Sequence, residues 1–359
     1  MAGELIGARG PIGPAGTGGP PSGPNPALPE GPHPALSLVR RRLAQAPLVL
    51  VVVIVGGFLL LEAAPGDAVD AYVASLGGDA GLVRELRARW GLDRSAPTRF
   101  LLYLVGLATG DLGRSLAFDR PVLSLVLERL PITLALAGSA TLLAFALGSG
   151  LGILAGARPR GPLDRLLSAA ALVLNATPSF WLGLLLALLF AVRLRWLPLA
   201  GIETIGAGYS GLARLFDIAR HLVLPVLTLG LVYAALYLRL MRAGMVEAWR
   251  SDFVRAARAK GISRRRLVLR HVARNALLPV VTMLGLQSAT LVGGSVVVES
   301  VFAVPGLGRL AAEAVTQRDF PLLLGILIVS ALLVLLVNLL VDLLYARIDP
   351  RVELGARAP

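Results

Sequence analysis

Six long runs of apolar residues limit what this chain can fold into more than any other feature. A helix needs about 20 apolar residues to cross a bilayer core of roughly 30 Å. Runs of that length lie at 43–64, 132–155 and 166–192, and near 222–240, 277–298 and 321–345. The mean hydropathy of +0.75 is also high for a soluble chain. The sequence therefore predicts an all-α membrane protein with six transmembrane helices.

The segments outside these runs divide the chain into four parts. Residues 1–36 are predicted to be a disordered cytoplasmic tail, because Gly and Pro occupy 18 of the first 35 positions and leave little to bury. Residues 37–126 hold the first span and an extracytoplasmic loop, 127–346 hold the other five spans, and 347–359 form a cytoplasmic tail.

The alternative to the first span is a cleaved secretory signal ending near Ala63. The preceding tail is too long for that, and the run is long enough to span.

The net charge of +13 lies on one side of the predicted membrane. With six spans both termini share a side, which carries 21 of the 35 Arg and Lys residues and 8 of the 22 acidic residues. The other side carries 14 of each. This is the positive-inside pattern, so the termini and the 242–275 loop are predicted to be cytoplasmic. Because the pattern explains the basicity, no nucleic-acid partner is expected.

Prolines are expected to shape the second and third spans. Pro131 is predicted to open the second span, after an amphipathic surface stretch at 121–129. The third span is interrupted at 175–179, which includes Asn175, Thr177 and Pro178. A proline inside a helix frees a backbone carbonyl, which only protein or a water-filled cavity can satisfy within a membrane. The bend is therefore either a wall of the translocation pathway or a packing kink.

The polar residues near the centres of the spans are neutral. Gln287 and Thr290 share a helical face of the fifth span, and we assign them, with the 175–179 bend, to the pathway. Carriers driven by protons or sodium generally place ionisable groups at mid-membrane, so such a carrier is disfavoured. Without a G-x-x-x-x-G-K-[ST] motif, the chain is not expected to bind ATP through a P-loop. The absence of cysteine and the distant spacing of the three histidines argue against a metal site.

The loop between the fourth and fifth spans carries its own helix signals. Asp252 is predicted to cap a helix that begins at Phe253, with Lys260 in its last turn and Gly261 as the terminating residue. Two turns are not stable alone in water, so this helix must be docked. Its spacing places Phe253, Lys260 and two alanines, Ala256 and Ala257, on one side. The alternative is a surface helix that lies on lipid headgroups, with its arginines on phosphate.

This loop resembles the "EAA" motif of permeases from bacterial binding-protein-dependent importers, in the form of the dipeptide/oligopeptide/nickel permease family. The residues that carry the likeness are Glu247, the run 252–261, His271, Asn275 and Pro279. The chain's only lysine, Lys260, falls on a motif position. Further matches follow in order along the chain: 110–115 (Gly-Asp-Leu-Gly-Arg-Ser), 178–181 (Pro-Ser-Phe-Trp), 301–309 (Val-Phe-Ala-Val-Pro-Gly-Leu-Gly-Arg) and 318–321 (Arg-Asp-Phe-Pro).

The resemblance implies a subunit of an ATP-driven importer in the bacterial inner membrane, with no catalytic residue of its own. Residues 127–346 would be a type I ABC importer transmembrane domain. The partners would be a second homologous permease, ABC ATPase subunits that hold ATP and Mg, and an extracytoplasmic solute-binding protein, with membrane lipid around the spans. The chain itself would hold no cofactor. Peptides, nickel and other small solutes are the substrates of such families, and a passive channel or scaffold remains the alternative from another class.

The same resemblance assigns seven residues to ATPase coupling. Ala256 and Ala257 are expected nearest the ATPase, and Glu247 and Gly261 are expected to fix the shape of the loop. The full set is Glu247, Asp252, Phe253, Ala256, Ala257, Lys260 and Gly261.

Overall fold

The structure is a computed structural model that describes residues 34–63, Val69, Val73 and 80–348. Both predicted tails lie wholly or almost wholly outside these residues. The side chain of Thr290, which was assigned to the pathway, also lies outside the description.

The described residues fold almost entirely as helices. We number them α1 (Pro34–Ala63), α2 (Ala80–Arg89), α3 (Ala96–Ala108), α4 (Val122–Ala157), α5 (Pro162–Ala176), α6 (Ser179–Leu186), α7 (Gly211–Ala248), α8 (Asp252–Ala259), α9 (Ala273–Gly294), α10 (Val296–Val301), α11 (Leu307–Thr316) and α12 (Phe320–Ile348). A π-helical segment, Ala187–Arg193, extends α6. A short turn, Arg264–Arg266, and a second π-helical segment, Leu267–Val272, lead into α9.

Helices α4 and α7 pack against each other along their length because glycines let them approach closely. A Cβ added to Gly148 would lie 2.5 Å from the Ala234 carbonyl oxygen, and one added to Gly156 would lie 2.4 Å from the Met245 Cβ. The small-residue spacing of four keeps these glycines on one face, as in close-packed membrane helices. Contacts advance in the same direction on both helices, so α4 and α7 run parallel.

The parallel packing of α4 and α7 fixes the role of the helices between them. The chain leaves α4 at one end of the bundle and enters α7 at the other, so α5 and α6 must carry it back across. They are bent by 106° at residues 177–178. Five other segments are long and apolar enough to cross a membrane: Arg42–Ala63, Val122–Ala157, Gly211–Ala248, Arg264–Gln287 and Phe320–Leu343. The described chain therefore has six spans, with the third one broken.

The first and last spans pair in an antiparallel arrangement. The Arg42 Nε lies 2.6 Å from the Asp342 Oδ2 near one end, and a Cβ on Gly57 would lie 3.0 Å from Leu324 further along. The start of α1 and the end of α12 thus lie at the same end of the bundle. The packing of Val122 against Gly325 makes α12 run with α4, so the end of α4 and helix α8 lie at this end too.

Two sequence predictions about helix boundaries are wrong. Pro131 does not open the second span, because α4 runs unbroken from Val122 to Ala157 and contains it. The predicted surface stretch at 121–129 is the first part of this helix, where Val122, Leu125 and Val126 are buried in a core cluster with α11 and α12. That packing keeps the stretch in line with the span. The fifth span also begins earlier than predicted, at Arg264 instead of Leu277.

Candidate coupling surface and translocation residues

Helix α8 is short and bounded by clear local signals. It spans Asp252–Ala259 with Lys260 as the C-terminal cap residue. Gly261 has a φ of +70°, and its N–H donates to the Arg258 carbonyl at 3.0 Å. This left-handed conformation favours glycine, and the prediction that Gly261 terminates the helix is confirmed. The predicted cap at Asp252 is wrong, since Ser251 occupies the N-cap position and Asp252 lies in the first turn, where its exposed carboxylate pairs with Arg255 at 3.2 Å.

The two faces of α8 differ sharply in burial. Val254 is fully buried and Ala257 is only 6% exposed, because both pack into a core cluster with α7 and the start of the fifth span. Asp252, Ala256 and Lys260 are exposed. The expectation that Ala257 lies with Ala256 nearest a partner is therefore wrong. A spacing of one residue rotates the helix by about 100°, and this turns Ala257 into the chain's own core.

The loop around α8 is fastened to the end of α4 by polar contacts. The Trp249 indole N–H donates to the Gly156 carbonyl at 2.8 Å, and the Arg264 guanidinium donates to the Ala157 carbonyl at 3.0 Å. The Arg258 guanidinium lies 5.1 Å from the centre of the Trp249 ring, in a cation–π contact. These contacts satisfy carbonyls at the C-terminal end of α4 and connect α8 to a transmembrane helix.

An ion pair between a buried carboxylate and a partly exposed arginine joins α5 to α7 near this loop. Asp164, in the first turn of α5, is 2% exposed and accepts hydrogen bonds from the Arg242 guanidinium and, at 2.7 Å, from the Arg160 N–H. Loss of the Arg242 side chain would be costly, because the Asp164 carboxylate would be left buried and without its countercharge. Beyond Arg242 an open groove of about 530 Å³ runs along the end of α7. Glu247, exposed, lies in its wall with Arg250 and Ser251.

The residues assigned to the pathway lie on two separate elements. Asn175 and Pro178 are exposed at the α5–α6 bend, where the Thr177 hydroxyl donates to the Val173 carbonyl at 2.7 Å. Gln287 is partly buried on α9. Among the described residues no hydrogen bond joins the bend to Gln287. The structure thus confirms a bend at the predicted place, while a shared pathway stays a prediction.

A buried carboxylate that the sequence reasoning did not assign organises the opposite end of the bundle. Glu299, on α10, has no exposed surface and accepts hydrogen bonds from the Thr133 and Ser295 hydroxyls at 2.9 Å and from the Arg309 N–H at 2.9 Å. Gly308 passes so close that a Cβ there would lie 2.9 Å from the carboxylate. The signal available in the sequence is an acidic residue at a span end, followed by the glycine-rich turn 305–308.

A second buried carboxylate joins two stretches that resemble family motifs. Asp319 has no exposed surface and accepts hydrogen bonds from the Ser115 hydroxyl at 2.5 Å and from the Ala117 N–H at 3.0 Å. It also accepts the Leu322 N–H at 3.2 Å, in the first turn of α12. The 110–115 loop and the 318–321 turn are therefore held together by one side chain, which gives both stretches a structural reason to occur together.

Comparison with known families agrees with this architecture. Residues 148–354 match the model of the "binding-protein-dependent transport system inner membrane component". Residues 35–137 match the model of the N-terminal part of such membrane components. The chain belongs to this family. It is a multi-pass inner-membrane permease subunit of a binding-protein-dependent ABC importer, and it is a transport component rather than an enzyme.

Curated relatives align over nearly their whole length. The oligopeptide transport system permease protein AppB of Bacillus subtilis is 36% identical over 320 residues, which are 89% of this chain and 99% of the relative. The glutathione transport system permease protein GsiC of Escherichia coli O6:H1 is 39% identical over 317 residues, covering 88% and 98%. The di/tripeptide transport system permease protein DppB of Pseudomonas aeruginosa is 35% identical, covering 89% and 99%.

A solved structure also shows a partial likeness. A chain of the MetNI methionine ABC transporter in an inward-facing conformation matches 63% of this chain and 97% of its own length, with 20% identity and a TM-score of 0.49. The family membership follows from the sequence relatives and the family models.

Proposed function

We propose that this permease imports peptides or related small solutes, together with a second homologous permease subunit. The relatives named for oligopeptide, glutathione and di/tripeptide transport support this substrate class. ABC ATPase subunits would bind ATP and Mg, and an extracytoplasmic solute-binding protein would deliver the substrate. The arrangement that carries the coupling part of the proposal is α8, which is fastened to α4 on one side and exposed on the other.

The exposed side of α8 is the proposed ATPase contact. Ala256 offers a small surface that a partner can approach closely, with Phe253 and Lys260 beside it. Val254 and Ala257 connect the helix to the chain's own core. Glu247 lies beside the groove next to this face, and Gly261 sets the turn that follows it. A displacement of α8 by a partner that contacts Ala256 would therefore be transmitted to α4 and α7 through packed side chains.

The orientation that this coupling requires places α8 and both termini in the cytoplasm. The fold supports a shared end for the start of α1, the end of α12 and α8. The positive charge concentrated at this end favours the cytoplasmic side. The proposed pathway uses Asn175, Thr177 and Pro178 at the α5–α6 bend and Gln287 and Thr290 on α9.

The coupling proposal is tested by enlarging an exposed and a buried alanine on the same helix. We expect Ala256→Trp to leave the membrane level of the chain unchanged while ATPase co-purification and peptide uptake fall at least tenfold. Ala257→Trp should lower the thermal stability of the chain itself, because overpacking a core typically costs about 1–3 kcal/mol. Ala108→Trp, at an exposed site on α3, is the control for a surface tryptophan.

The results for these variants distinguish a contact with the ATPase from packing within this chain. Normal ATPase association and uptake in Ala256→Trp would contradict the coupling role and favour a helix lying on lipid headgroups. Loss of uptake in Ala108→Trp as well would show a general sensitivity to tryptophan.

The substrate class is tested by competition in cells. Uptake of a labelled tripeptide should be lost when this chain is deleted and restored by the wild-type gene. Excess unlabelled di- and tripeptides should compete, and nickel should not. Competition by nickel without competition by peptides would overturn the peptide assignment.

A further inference from the structure

A cavity of about 550 Å³ lies between the N-terminal helices and the last span. The end of α1 and the start of α12 form one side, and the turn at 90–94, α3 and the 113–119 loop form the other. Its volume is in the range of sites that hold small ligands. Because α1 ends and α12 begins here, the cavity lies at the level where a membrane span meets water, whichever side of the membrane this is.

Two buried polar groups in the cavity wall have no hydrogen-bond partner among the residues that the structure describes. These are the Nε of Arg99 and the hydroxyl of Tyr103, both on α3. Burial raises the pKa of the Tyr103 hydroxyl to about 12, so the group stays protonated and remains a donor at neutral pH. Unpaired buried donors are unfavourable, typically by about 1–3 kcal/mol each. Both side chains line the cavity, and a small side-chain rotation would present these donors to an acceptor placed there.

The charges around the cavity leave one unpaired cation. Arg99 forms an ion pair with Glu62 at 2.7 Å, and Arg114 pairs with Asp119 at 3.1 Å. Arg94 also lines the cavity, and its side chain makes no ion pair or hydrogen bond with the described residues. The described residues of the lining therefore carry a net charge of about +1, which an occupant with one negative charge would balance.

Apolar side chains from the two spans also line the cavity. Phe58 and Leu61 at the end of α1 and Leu324 near the start of α12 contribute to this lining. A free inorganic anion would gain nothing from these side chains, whereas the glycerol and upper acyl carbons of a lipid would bury apolar surface against them. Charge and apolar surface together select an amphiphile.

We propose that this cavity binds an anionic phospholipid of single negative charge, such as phosphatidylglycerol. The phosphate accepts hydrogen bonds from Arg99 and Tyr103 and lies near Arg94, and the acyl chains leave the cavity along α1 and α12. The lipid would join the N-terminal helices to the last span. This inference depends on the membrane location of the chain and not on its substrate or its ATPase contact.

The test measures lipid retention by the complete transporter after detergent extraction, using native mass spectrometry. We expect phosphatidylglycerol to be retained and phosphatidylethanolamine to be retained at least tenfold less. Arg94→Gln should lower retention about tenfold, since it removes the unpaired cation, and Tyr103→Phe should lower it several-fold. Arg193→Gln is the matched control, because Arg193 is an exposed arginine that does not line the cavity.

A second experiment tests whether inorganic phosphate competes with the lipid for the cavity. Millimolar phosphate should not displace the lipid and should not bind in its place. Displacement by phosphate would show an anion site and overturn the lipid assignment. Equal retention of the two lipids, or equal loss in Arg193→Gln and Arg94→Gln, would also overturn the proposal.

Discussion

Single glycines decide how closely the two long parallel helices approach. A Cβ on Gly152 would lie 2.6 Å from the Met241 Cβ and 2.8 Å from the Leu238 carbonyl oxygen, whereas a Cβ on Gly150 would meet nothing within 4 Å. We expect Gly152→Ala to lower the free energy of unfolding by about 1–3 kcal/mol through overpacking. Gly150→Ala, on the same helix, should raise it by up to about 1 kcal/mol through helix propensity.

Thermal unfolding of the two variants in detergent checks this prediction. A matched loss of stability in both would show that the helix tolerates no added methyl group at either site. An unchanged transition in Gly152→Ala would mean that α4 and α7 are farther apart than described.

Residue-scale patterns in the sequence predicted the end of α8 and missed its orientation. Gly261 was recognisable because a left-handed terminating residue is a local requirement that one residue type meets best. The burial of Ala257 was not, because small residues on a short amphipathic helix are compatible with facing either the chain's own core or a partner. Tertiary contacts from α7 and the fifth span decide between these faces. Glu299 was missed for a related reason, since two of its three donors, Thr133 and Arg309, lie on other helices, α4 and α11.

Among the elements, α10 depends on the buried carboxylate that connects it to α4 and α11. Glu299→Ala would leave the Thr133 and Ser295 hydroxyls and the Arg309 N–H without their acceptor. Each such loss typically costs about 1–3 kcal/mol, so we expect a marked fall in thermal stability. Glu299→Gln keeps one acceptor oxygen, so its thermal stability should lie between that of the wild type and that of Glu299→Ala. Glu313→Ala is the control, because Glu313 makes only a partly exposed ion pair with Arg309, worth about 0–1 kcal/mol.

Thermal unfolding of the three variants in detergent checks this prediction. Equal stability of Glu299→Ala and Glu313→Ala would contradict the structural role of the buried carboxylate.

The elements themselves were largely predictable from apolar run length, with the boundaries as the main errors. Four of the runs became single helices because no alternative buries 20 apolar residues in a bilayer, and the fifth run continues from α9 into α10. The interruption at 175–179 was visible from Pro178, and its angle was not, since the bend is set by packing of α5 and α6 on α7. Pro131 misled because a helix held by tertiary contacts on both sides can contain a proline.

For the molecule as a whole, the one-sided charge predicts a specific topology. The chain contains no cysteine, so single cysteines can be introduced at two exposed serines, Ser263 before the fifth span and Ser210 before α7. We expect a membrane-impermeant maleimide added to intact cells to label Ser210→Cys and to label Ser263→Cys only after permeabilisation. Labelling of both from outside would contradict the orientation.

The central claim is that this permease works in an importer driven by ATP at the end of the bundle where α8 lies. The most direct measurement is accumulation of a labelled peptide in proteoliposomes that contain the complete transporter, with the binding protein outside. The account predicts accumulation above the external concentration only when ATP is present inside, and none with Ala256→Trp. Accumulation driven by a proton gradient without ATP, or equilibration without accumulation, would contradict it in favour of a secondary carrier or a passive channel.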